Sequence, residues 1–127
     1  MNWTLLCILI AGLLPLAGTA AAKWGFKGYD NHNPREWVAR QTGFRARGRA
    51  AEANSLEAFP FFAAGALAAL HTGAPLGAVH ALSIAFVVLR VAYIALYITD
   101  RASLRSLAWA GGVACTIALF VLALRAG

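Results

Sequence analysis

The stretch LGAVHALSIAFVVLRVAYIALYIT, residues 76–99, is apolar from end to end and interrupted by a single full charge, Arg90. A helix that crosses a bilayer needs ~20 predominantly apolar residues. Three further segments read the same way: about Trp3–Ala22, Arg49–Leu70 and Ser103–Leu124. The expectation is an all-α integral membrane four-helix bundle.

Composition agrees. The chain is 61% hydrophobic and 13% charged, with a mean hydropathy of +0.67. Soluble domains hold about 25% charged residues, so lipid is the expected solvent for most of this surface. The formal net charge is +6. Nucleic acid is not the reading of that charge, because it gathers in a loop between apolar segments. That loop, about residues 23–47, holds Lys23, Lys27, Arg35, Arg40, Arg45 and Arg47. The loop from His71 to Pro75 has no Lys or Arg, and the third has Arg101 and Arg105. Positive residues mark the cytoplasmic side, so the long loop is expected in the cytoplasm and both termini outside it.

Ala20-Ala21-Ala22 has the small residues of a signal-peptide cleavage site. However, no Lys or Arg precedes the apolar run, and Lys23 and Lys27 follow it. A retained first helix is therefore expected. Within the long loop, Tyr29-Asp30-Asn31-His32-Asn33-Pro34 is dense in turn formers. Pro34 suits the first position of a short helix. Trp24, Phe26, Tyr29 and Trp37 are expected at the lipid headgroups. Cys7 and Cys115 lie in apolar runs and read as small hydrophobes. His32, His71 and His80 are scattered, and no metal site is expected.

The ionisable residues inside the apolar segments carry the functional signal. Each costs ~2.5–3.5 kcal/mol on insertion scales, and such residues face the bundle interior with a partner. On the second segment Arg47 and Asn54 lie ~20° apart on the helix wheel, and Asn54 and Glu57 ~60° apart. Glu52 points elsewhere. On the third, Arg90, Tyr93 and Tyr97 share a face. Arg90 lies about 10 Å below Tyr97 and Glu57 about 15 Å beyond Arg47. A Glu57–Arg90 ion pair is expected at that depth. Arg101 and Arg105 would give the polar cleft a cationic mouth suited to an anionic ligand.

These residues resemble a known family. Arg47, Asn54, Glu57 and Pro60, with the run Glu57-Ala58-Phe59-Pro60-Phe61-Phe62, resemble the helix-two signature of the MAPEG family, the membrane-associated proteins in eicosanoid and glutathione metabolism. Arg90-Val91-Ala92-Tyr93-Ile94-Ala95-Leu96-Tyr97 resembles its helix-three signature, and Arg105-Ser106-Leu107-Ala108-Trp109 the start of helix four in its prostaglandin-synthase branch. The stretch Tyr29–Arg35 is similar to a small bacterial branch, which implies a bacterial inner membrane. The resemblance implies a homotrimer that binds glutathione, as co-substrate, in clefts between subunits. It places Arg47, Asn54, Glu57 and Arg90 on the tripeptide and Tyr93, Tyr97 and Arg105 at the reacting thiol. Ala50 stands where well-studied members carry an Arg. The loop after Tyr97 differs in length from theirs, so Arg101 competes with Arg105.

The function implied is a membrane glutathione-dependent transferase or peroxidase acting on small lipophilic electrophiles. The alternative is a non-catalytic membrane binding protein for a lipid or anionic metabolite, because the family includes such a scaffold.

Overall fold

The computed structural model describes residues 1–127. It contains six helices and no strand: α1 Trp3–Leu13, α2 Pro15–Ala22, α3 Pro34–Ala39, α4 Gly43–His71, α5 Leu76–Ile98 and α6 Ala102–Ala126. Four stretches are long and apolar enough to cross a membrane, with α1 and α2 together forming the first. Pro15 divides that span because it has no N–H to give the preceding turn. By contrast, α4 runs unbroken through Pro60.

The second span starts earlier than the apolar pattern predicts. Helix α4 begins at Gly43, not near Arg49, so Arg45 and Arg47 lie on a helix instead of in the loop. Hydropathy reports only the part of a helix that lipid must solvate. The first turns are polar but rich in good helix formers, and they stand above the apolar zone against α2 and α3.

Helices α2 and α4 cross with their backbones in contact. A Cβ placed on Gly18 would lie 2.6 Å from the Gly48 carbonyl oxygen, and one on Gly48 would lie 2.9 Å from that of Gly18. Helix α5 packs on α6 and on α4. Between them Phe62 and Phe86 stack with ring centroids 3.9 Å apart. Thr4 on α1 and Ser83 on α5 are both buried and share a hydrogen bond of 3.4 Å.

The loop after α2 has its own small aromatic core. Tyr29 meets Phe26 and Trp37 edge-on, at 5.2 and 5.1 Å between centroids. Trp37 is therefore buried in the protein, against the expectation that it sits among headgroups, whereas Trp24 and Phe26 are exposed. The Asp30 carboxylate accepts from the His32 N–H and the Asn33 side-chain amide, which hold it below the usual carboxyl range.

Candidate functional site

Two short turns set the geometry of the polar cluster. Helix α5 ends in a left-handed residue, Asp100, at φ 61°. The Arg101 N–H returns to the Leu96 carbonyl at 2.8 Å and the Asp100 N–H to that of Tyr97 at 3.1 Å. This pair of bonds is a Schellman closure. It reverses the chain at once into α6, so that Arg105 lies one helical turn past Arg101 and level with Tyr97. Gly73 closes α4 in the same way at φ 73°.

The outcome is a column of two phenol rings with a cation at each end. The Arg90 guanidinium lies 4.1 Å from the Tyr93 ring centroid. Tyr93 meets Tyr97 edge-on at 5.6 Å. The Arg105 guanidinium lies 4.3 Å from the Tyr97 centroid. Each cation sits over a ring face within the distance at which the ring quadrupole attracts it. Arg90 is 3% exposed, while Arg105 is half-buried and Arg101 exposed. The column thus joins the buried floor to the open rim, and only Arg105 of the two rim arginines belongs to it.

Below the column is a cavity of about 270 Å³, lined among others by Asn54, Glu57, Phe86, Arg90, Trp109 and Gly112. A Cβ on Gly112 would make only ordinary contacts, at 3.8–4.0 Å, with Phe86 and the Arg90 side chain. The expected Glu57–Arg90 ion pair is not formed. Arg90 instead donates to the Asn54 side-chain oxygen and to the Ser55 hydroxyl, each at 3.0 Å. Glu57 is exposed on the surface of the chain. Two neutral acceptors one residue apart reach the guanidinium from the interior, whereas Glu57, nearly one turn further on, turns towards the outside of α4. Arg47 is occupied elsewhere, its Nε donating to the Ile98 carbonyl at 3.1 Å. It closes the end of α5 and does not line the cavity.

Ser55 was missed by sequence reasoning. A serine in an apolar helix is common, and only the neighbouring Asn54 marks it. Trp109 on α6 enters the lining as the aromatic one turn after Arg105.

A family model described as the MAPEG family matches residues 3–125. The chain belongs to the MAPEG family. Membership and the four spans make it an integral membrane protein. At the level of the family it also supports a glutathione-related function. No curated protein and no solved structure matches the chain. As a MAPEG protein it carries Asn54, Glu57 and Arg90 around one cavity, and Tyr93, Tyr97 and Arg105 in one column.

Proposed function

We propose that this protein is a glutathione-dependent transferase or peroxidase acting on small lipophilic electrophiles, assembled as a homotrimer. The observation that carries the reading is the Arg90–Tyr93–Tyr97–Arg105 column, which sets fixed positive charge and phenol donors between a polar cavity and the rim. A free thiol titrates at about pH 8.5, so most glutathione is protonated at neutral pH. A neighbouring guanidinium stabilises the anion and raises the thiolate fraction. Arg105 is the rim cation positioned to do this, with the Tyr97 hydroxyl as a donor to sulfur. The tripeptide lies along the cavity, its carboxylates towards the cationic residues and its amine towards Glu57.

The thiolate then attacks an electrophilic carbon from the bilayer side. A carbon–sulfur bond forms, and the leaving group departs with the electron pair. With a hydroperoxide, the thiolate attacks the terminal oxygen instead: a sulfur–oxygen bond forms, the oxygen–oxygen bond breaks, the alcohol leaves, and a second glutathione reduces the sulfenic acid to give glutathione disulfide and water.

Glu57 supports both the ligand and the assembly. An unpaired carboxylate on an apolar span is costly, and Glu57 has no partner within its own chain. A ligand ammonium and a neighbouring subunit together supply one. The Lys/Arg-rich loop supports a cytoplasmic site, with both termini on the other side. The Tyr29–Arg35 stretch after α2, through its resemblance to a bacterial branch, supports a bacterial inner membrane as the setting.

The test is a thermal-shift series on the detergent-purified protein with glutathione and other low-molecular-weight thiols, followed by ultraviolet difference absorbance and turnover of a generic electrophile. Stabilisation by glutathione, a thiolate band and turnover are expected. Binding without a thiolate band or turnover would replace the enzyme by a binding protein. No response to any thiol would remove glutathione from the reading.

A further inference from the structure

Helices α5 and α6 leave an open crease between them. It has a volume of about 700 Å³ and is lined among others by Ala78, Ala81 and Leu82 of α5 and by Ala114, Ala118 and Val121 of α6. Every residue lining it is apolar. On α6 these positions lie about 140° round the helix from Trp109, Val113 and Thr116, which border the cavity below the tyrosine column. The two spaces share no lining residue, so the crease faces away from the polar cleft.

One charged side chain continues the line of the crease. Ala114, Ala118, Val121 and Arg125 follow one another at spacings of four, three and four, and so share a face of α6. Arg125 lies about 6 Å beyond Val121 along the helix, at the end of the bundle opposite the Lys/Arg-rich loop. It is the only Lys or Arg at that end. It is exposed and forms no ion pair, the one ion pair of the chain being Arg40–Glu36. Neither α5 nor α6 carries an Asp or Glu. Helix α5 begins at the same end, and its first turn has no side-chain cap, which leaves backbone N–H groups open to an anion. A cation in the last turn of a helix gains from the helix dipole whichever way it points. The dipole therefore does not explain why this one stands on the axis of an apolar crease.

We propose that the crease holds an acyl chain of an anionic phospholipid, from the leaflet opposite the Lys/Arg-rich loop, with the lipid phosphate on Arg125. From Val121 to Ala114 the chain has about 10 Å of apolar wall to lie along. A guanidinium suits phosphate oxygens. A glycerol headgroup is uncharged beyond its phosphate and meets Arg125 unopposed. A choline headgroup brings a second cation to a place where α5 and α6 offer no carboxylate. The apolar lining assigns the site to a lipid and not to a free phosphate ester.

The experiment is native mass spectrometry of the full chain in detergent, titrated with dioleoyl phosphatidylglycerol, dioleoyl phosphatidylcholine or soluble glycerophosphoglycerol. Phosphatidylglycerol is expected to bind ~10-fold more tightly than phosphatidylcholine, the scale of one charge-assisted hydrogen bond. Arg125→Gln should bring the two lipids to equal affinity. The Ala81→Leu, Ala114→Leu double variant fills the crease and should weaken both lipids by ~10-fold or more. Both alanines and Arg125 are exposed, so these variants should fold, which far-ultraviolet circular dichroism checks. Equal affinity of the wild type for the two lipids, a preference that survives Arg125→Gln, or unchanged lipid binding in the filled crease would overturn the proposal. Binding of glycerophosphoglycerol as tight as that of the lipid would overturn the assignment to a lipid. A filled crease that changed the number of protomers instead would give this face to a second copy of the chain.

Discussion

Arg105 and Arg101 are chemically identical and one turn apart, and their surroundings separate them. Only Arg105 is stacked over Tyr97, and only it is sheltered enough to act at short range. Arg105→Leu is expected to fold and still bind glutathione, but to lose the thiolate absorbance and at least ~10²-fold in turnover, the scale of removing one electrostatic stabiliser. Arg101→Leu is expected to retain both. The reverse pattern would show that Arg101 stabilises the sulfur. Arg90 makes a different argument, because its partners are Asn54 and Ser55 and not Glu57. In double-mutant cycles of stability without ligand, Arg90→Met and Asn54→Leu should couple by about 1 kcal/mol or more. Arg90→Met and Glu57→Gln should add within ~0.5 kcal/mol, as non-contacting pairs do. Coupling to Glu57 alone would restore the ion pair expected from sequence.

The turns and crossings of the helices decide where those residues point. Asp100 holds a left-handed conformation that costs an L-residue roughly 1–2 kcal/mol and glycine almost nothing. Asp100→Gly should therefore raise the melting temperature in detergent, with Arg105 still over Tyr97 and turnover retained. A lower melting temperature would mean that the Asp100 side chain contributes more than its backbone strain costs. Gly48 is the opposite case. Gly→Ala inside a helix ordinarily stabilises by ~0.5–1 kcal/mol. Here the added methyl would lie 2.8 Å from the Ala21 Cβ and 2.9 Å from the Ala22 nitrogen. Backbone cannot yield as a side chain can, so Gly48→Ala should destabilise by ~1–3 kcal/mol. A neutral result would mean that α2 shifts freely against α4.

At the scale of the whole molecule, the single chain leaves a large apolar surface, including Leu107 at 69% and Trp109 at 48% exposure. Most of that surface faces lipid, but Trp109 and Glu57 border the same cavity. A second copy packed there would cover the carboxylate and enclose the ligand. The expected mass of the protein in mild detergent is that of three protomers. A monomer that still turned over substrate would remove the shared cleft.

The sequence by itself determined the solvent, the number of spans, and which residues are worth a functional reading. Length and hydropathy report those directly, because lipid tolerates only apolar helices at full span. Spacing on one helix likewise brought Arg90, Tyr93 and Tyr97 to one face, since helix periodicity is local. The choice of partners between helices was left to the tertiary structure. Helix rotation and the length of a two-bond turn decided that Arg105 and not Arg101 meets Tyr97. They also decided that Asn54 and Ser55 take Arg90 while Glu57 looks outward, and that Arg47 closes α5 instead of reaching the cavity. Such pairings depend on the relative rotation of packed helices, where one residue of register turns a side chain by about 100°, and no spacing within a single helix encodes that angle.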